Sequence, residues 1–143
     1  MVAMPQARRC LRAWTTSYQA APVSVPLARR QVRAVMAGWG WGGTGRLDDL
    51  LIICAELVTN AIQHASEPNS TVLVRLQELD GDCRIEVMDR RPDLLPPRVS
   101  TPKGERGRGL LLVRELAEDM DVTTTKGSKI VWARVLRHHG EAA

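Results

Sequence analysis

Three polar side chains interrupt the most apolar stretch of the chain. Glu56, Asn60 and His64 stand four residues apart, while Leu47, Leu50, Leu51, Cys54, Leu57, Val58, Ala61, Ile62 and Ala65 recur around them at spacings of three and four. That period is helical, and a helix stacks residues four apart along one side. A helix so apolar belongs largely inside, where a carboxylate and an amide need polar company. The chemistry that fits is an Asn60 carbonyl oxygen offered to a hard cation such as Mg2+, with Glu56 acting on a nearby water or hydroxyl. On spacing alone, a stripe turned to solvent is the simpler account.

A second group is the run Gly104-Glu105-Arg106-Gly107-Arg108-Gly109-Leu110, just ahead of an apolar helix. Glycines let the backbone approach a ligand closely, and the free N–H groups of a helix start attract anions, so the run suits a polyphosphate. Arg106 and Arg108 add positive charge. The run is not the GxxxxGK[ST] of a P-loop, and many such runs are only turns. The third candidate is Asp89, where the strand Ile85-Glu86-Val87-Met88 ends and a long loop begins. Strand ends of this kind carry ligand-reading side chains, although a lone terminal Asp is also a common turn residue.

These residues need a frame. Leu11 to Tyr18 reads as a first strand, and Val25 to about Ala37 as an amphipathic helix with Ser24 as its N-cap and Pro26 in the first turn. Five glycines between Gly38 and Gly45 break it, and Asp48 and Asp49 open the central helix with favourable charge. Thr71 to Leu79 and Cys83 to Met88 flank Asp80-Gly81-Asp82 as an antiparallel hairpin. Arg90 to Gly109 reads as a long functional loop and Leu110 to Glu118 as a helix. Val122 to Thr125 and Lys129 to Leu136 then pair as a last hairpin around Lys126-Gly127-Ser128. The order predicts a two-layer α/β sandwich with a mixed, mostly antiparallel sheet and helices on one face.

Composition narrows the classes. With 143 residues and 44% apolar content, one domain over 1–143 with one core is expected, its ends near 1–10 and 138–143 ragged. Twenty Lys and Arg against sixteen Asp and Glu give only +4, spread along the chain, and Phe is absent. Nucleic-acid binding is therefore disfavoured, since neither a basic stripe nor a stacking platform is present. Cys10, Cys54 and Cys83 are far apart and read as reduced thiols, and no apolar run is long enough to span a membrane. A cytoplasmic location is the expectation. His138 and His139 lack the spacing of a zinc site, and Trp39, Trp41 and Trp132 read as core or interface.

The order of the three groups adds a resemblance. Glu56-Leu57-Val58-Thr59-Asn60-Ala61-Ile62-Gln63-His64-Ala65 resembles the N box of the histidine-kinase-like (GHKL) ATPases, in the form found in bacterial anti-sigma serine kinases. Ile85 to Asp89 resembles the G1 box, Gly107-Arg108-Gly109-Leu110 the G2 box, and Lys129 to Ala133 the closing strand, so the likeness covers about residues 20 to 137. It implies the Bergerat-type ATP-binding fold with ATP and Mg2+ as cofactors. Asn60 would ligate Mg2+, Glu56 would be the general base, and Asp89 would read the adenine amino group. Gly104, Gly107, Arg108, Gly109 and Leu110 would cradle the phosphates, with Gly107 and Gly109 hinging a lid. Where the family has two glycines after the aspartate, this chain has Arg91 and Asp93, which stiffen the backbone beside the base.

Two functions fit that resemblance. One is a protein-serine kinase acting as an anti-sigma factor, which binds a sigma factor and phosphorylates an antagonist (anti-anti-sigma) protein, with room for a homodimer. The other is a non-catalytic module of the same fold that ATP only shapes or does not enter. A sensor histidine kinase is disfavoured, because no dimerisation helix pair carrying a phosphoacceptor is found.

Overall fold

In the computed structural model, residues 9–64, 69–90 and 104–137 are described, with the backbone alone for 104–108. Of the ends expected to be ragged, residues 1–8 and 138–143, His138 and His139 among them, lie outside the described residues, as do Ala65, Arg91 and Asp93, whereas Cys10 opens the first strand. The elements run β1 (Cys10–Gln19), α1 (Ser24–Gly38), α2 (Gly45–His64), β2 (Thr71–Leu79), β3 (Asp82–Asp89), α3 (Gly104–Leu116), β4 (Asp119–Thr125) and β5 (Ser128–Leu136). The five strands form one sheet in the order β1-β2-β3-β5-β4, and every pairing is antiparallel.

Alternation decides which face is covered. Register pairs Val74 with Val87 and Leu76 with Ile85, and across the next seam Val87 with Val131 and Ile85 with Ala133. These inward residues are buried together with Ala28, Val32 and Met36 of α1 and with Leu50, Ile53, Leu57, Val58 and Ala61 of α2. A period-two face meets period-3.6 stripes, and one core results. The α/β sandwich expected from the sequence is the fold found. The opposite sheet face carries charge: Arg84 and Arg75 pair with Glu86 at 2.9 and 3.5 Å, and the Arg84 guanidinium lies over the Trp132 ring.

Several elements start elsewhere than expected. Ser24 is not the N-cap of α1; Val23 occupies that position, and the Ser24 hydroxyl donates to the Gln19 carbonyl at 2.7 Å instead. The helix α3 starts at Gly104 rather than Leu110, so the glycine-rich run is the helix itself and not the loop before it. Glycine costs helices about 1 kcal/mol each relative to alanine, which is why the run reads as a loop; tertiary context overrides that preference. Likewise β4 begins at Asp119, three residues before the expected Val122, because its partner β5 continues pairing as far as Arg134.

Two buried polar clusters brace the site from a distance. Arg46, in the first turn of α2, donates to the Leu116 and Leu136 carbonyls at 3.0 Å each and pairs with Asp49 at 2.7 Å. It thereby satisfies a carbonyl orphaned at the end of α3 and ties that end to α2 and β5. The fully buried Trp41 donates its indole N–H to Glu78 at 2.9 Å, and Arg12 grips the other Glu78 oxygen at 2.6 Å. Gly40, at φ +89, lets the loop between α1 and α2 turn so that Trp41 points inward. Trp41 is thus a core residue.

Candidate functional site

Along α2, the side chains of Glu56, Asn60 and His64 rise in consecutive turns, and all three are half-buried. The stripe is therefore not a solvent-facing one. At its N-terminal end it meets α3: a Cβ placed on Gly109 would clash with Oε2 of Glu56 and stand 3.3 Å from its Cδ. Gly109 thus serves close approach inside a helix, leaving its room to the Glu56 carboxylate; it does not sit at a positive-φ turn. Beside it, Leu110 is buried and anchors this turn of α3 to the core. Gly104, Gly107 and Arg108 occupy the first two turns of the same helix.

In the middle of the stripe, the Asn60 amide nitrogen is buried and has no hydrogen-bond partner among the described residues. Leaving a buried donor unsatisfied costs on the order of 1–3 kcal/mol, so such a group in a folded protein calls for an occupant that satisfies it. At the C-terminal end of the stripe, His64 Nδ1 stands 2.6 Å from Nζ of Lys129. Lys129 in turn lies directly across the β3/β5 seam from Asp89, with Nζ 3.3 Å from Oδ2. Lys129 is 0% exposed and Asp89 is 2% exposed.

The site is thus a row on the inner face of the sheet. Gly109 and Glu56 form one end, Asn60 the centre, and His64, Lys129 and Asp89 the other. Of the residues singled out from the sequence, Glu56 and Gly109 are in contact, Asn60 lies one turn further along α2, and Asp89 joins the row through Lys129. Lys129 is the member that sequence reasoning missed. Its signal was the alternation Lys129-Val131-Ala133-Val135, which puts a lysine on the buried face of β5.

Whether this row suits Mg2+ depends on its donors. Among the described residues no three His, Cys, Asp or Glu side chains converge into a metal cage. Mg2+ in nucleotide sites is held through substrate phosphates and waters with few protein ligands, so one amide oxygen is enough. Asn60 has such an oxygen, and its buried amide nitrogen, which has no hydrogen-bond partner among the described residues, is a donor suited to a phosphate oxygen beside the ion. The residues present fit the ion.

The two-layer sandwich of helices on a five-stranded antiparallel sheet is the fold of a known ATPase domain class. The chain belongs to the histidine kinase-like ATPase domain family, whose model matches residues 18–135. No curated protein sequence matches the chain. Among solved structures, the chain is similar to the RsbU and RsbW domains of Rv1364c from Mycobacterium tuberculosis. The TM-score is 0.65 at 18% identity, covering 87% of this chain and 32% of that one. It is also similar to a chain of the SiaB-SiaC complex from Pseudomonas aeruginosa, with a TM-score of 0.57 at 12% identity, covering 90% and 91%. At these identities the likeness is one of fold. Among the described residues no helix is long and apolar enough to cross a membrane.

Proposed function

We propose that this domain binds Mg-ATP along the α2 stripe and transfers the terminal phosphoryl group to a serine of an antagonist protein, as an anti-sigma-type regulator. The observation that carries the reading is the buried, unpartnered Asn60 amide between Glu56 and the Asp89 end of the row. The solved relatives include an RsbW domain and a SiaB-SiaC complex, which supports a small protein as the partner.

In this mechanism the chain mainly positions and accepts a proton, because phosphoryl transfer needs orientation and charge stabilisation more than covalent help. Asn60 Oδ1 would hold Mg2+, which when bound supplies neutralisation of the phosphate charge. The N–H groups at the start of α3, where Gly104, Gly107 and Arg108 lie, would serve the phosphates as an anion site. Glu56 accepts the proton of the incoming serine hydroxyl as its oxygen bonds to the terminal phosphorus, and the bond to the bridging oxygen breaks to release ADP. Asp89 lies at the base end.

The test is phosphate transfer from radiolabelled ATP to a co-purifying partner protein. Wild type is expected to label the partner, and Glu56→Gln to keep nucleotide binding and lose most of the transfer. Unchanged labelling by Glu56→Gln removes the base role. A second reading, a module that binds its partner without catalysis, draws on the ion pair that already engages Asp89. It predicts partner binding that is insensitive to Glu56→Gln, with no labelling at all.

A further inference from the structure

On the face of the sheet turned away from the helices, the ends of four strands surround a cavity of about 160 Å3. Ser17 of β1, Thr71 and Leu73 of β2, Met88 of β3, Arg90 just past β3 and Ser128 of β5 line it. Register explains why these residues gather. Ser17 pairs with Leu73 and Leu73 with Met88, while Asp89 and Lys129 pair across the next seam. Asp89 and Lys129 are buried on the helix side, so alternation turns their neighbours Met88, Arg90 and Ser128 to the other side.

The lining has two characters. Leu73 and Met88 are half-buried cross-strand partners and form an apolar floor. Around them stand the hydroxyls of Ser17, Thr71 and Ser128 and the Arg90 guanidinium, none with a side-chain hydrogen bond or ion pair among the described residues. The other arginines of this face are neutralised: Arg75 and Arg84 by Glu86, and Arg134 by Asp82 and Asp119. Arg90 is thus the described arginine of the face that lacks a carboxylate, and it borders the cavity.

A cation and hydroxyls set round an apolar floor suit an anion that carries an apolar group. One guanidinium balances one negative charge, and its planar fork matches a carboxylate. Pockets that enclose a drug-sized molecule start at about 300 Å3, so this one admits a small ligand or the end of a larger one. We propose that the cavity binds a short aliphatic carboxylate, with the carboxylate on Arg90 and the hydroxyls and the alkyl group on Leu73 and Met88. A free branched-chain acid and the C-terminus of a chain ending in leucine both present this chemistry. The site lies on the opposite sheet face from the nucleotide row and does not depend on it.

The experiment is an amide NMR titration of the isotope-labelled full chain with isocaproate, with isocaproamide, which keeps the shape and lacks the charge, and with an acetylated peptide ending in leucine. Isocaproate is expected to shift the amides of Leu73, Met88 and Arg90 and to bind at least about tenfold more tightly than isocaproamide. Arg90→Gln, a change at an exposed position, should bring the acid down to the level of the amide. If the peptide binds at least as tightly as isocaproate, the source is a chain end; if it does not compete, the source is a free acid. No shift at these amides with tens of millimolar isocaproate overturns the proposal. Equal binding of acid and amide overturns it too, and so does an Arg90→Gln variant that binds the acid as wild type does. Binding of isoamyl phosphate about tenfold tighter than isocaproate would overturn the choice of a carboxylate.

Discussion

Gly109 of α3 packs so closely on Glu56 of α2 that a methyl group at position 109 would collide with the carboxylate. The atoms it would meet are the far end of a flexible side chain, so the chain can respond by rotating Glu56 away. Moving a side chain about 30° off its rotamer costs roughly 0.5–1.5 kcal/mol, while alanine is favoured over glycine inside a helix by about 1 kcal/mol. The two nearly offset each other. Gly109→Ala should therefore melt within a few degrees of wild type and yet lose phosphoryl transfer about as severely as Glu56→Gln. A variant with full transfer activity would show that the position of the Glu56 carboxylate is immaterial.

Asn60→Ala should separate stability from ligand binding. Because the amide nitrogen is buried without a partner among the described residues, removing it relieves a desolvation cost, and the unliganded protein should lose less than about 1 kcal/mol. In wild type, a ligand of the folded state at a hundred times its Kd stabilises by about 2.7 kcal/mol. Thermal melts with and without millimolar Mg-ATP check both points. The expected result is a shift in wild type and none in the variant; an equal shift in the two takes Asn60 out of the site.

The buried pair at the other end behaves in the opposite way. Breaking it from one side takes an oppositely charged neighbour from a buried group, so Lys129→Met should cost up to about 3–5 kcal/mol of unfolding free energy. Replacing both partners by apolar residues, as in Asp89→Leu with Lys129→Met, should recover most of that loss, since neither charge of the pair is then left buried. Urea unfolding of the two single variants and the double variant completes the cycle. Additive losses would mean that Asp89 and Lys129 do not depend on each other for burial.

The difference between those two ends also explains what could be read without a structure. The α2 stripe was legible because its apolar spacing and its polar interruptions lie within twenty consecutive residues and share one helical period. Asp89 was legible as a strand end. Its partner was not, because that contact depends on the register of β3 against β5, which joins residues forty apart in the chain. The same holds for Arg46, which reaches Leu116 and Leu136 from the start of α2. The glycines of α3 misled in a different way: local propensity favoured a loop, and packing against Glu56 explains why glycine is needed at position 109.

The three cysteines should separate by reactivity, and the burial that separates them also sets an alkaline limit on the fold. Cys10 is exposed, whereas Cys54 on α2 and Cys83 on β3 are buried. Burial pushes the Cys54 thiol up to about 12, and burial, followed by the Glu78 and Asp82 carboxylates, pushes Cys83 up as well. Since the thiolate is the reactive form, at about pH 8 one thiol per chain should react with an aromatic disulfide, and the other two only after denaturant is added. In the unfolded chain both buried thiols return to the ordinary value of 9.0. Above that value the unfolded state releases protons that the folded state still holds, so stability falls as pH rises. The contribution of these groups is whole below about pH 9 and is lost progressively toward about pH 12. The urea midpoint should therefore be lower at about pH 10 than at about pH 8, and the double variant Cys54→Ala, Cys83→Ala should flatten that decline. Three fast thiols in the native protein, or a decline just as steep in the double variant, would show that Cys54 and Cys83 are not sealed in the core.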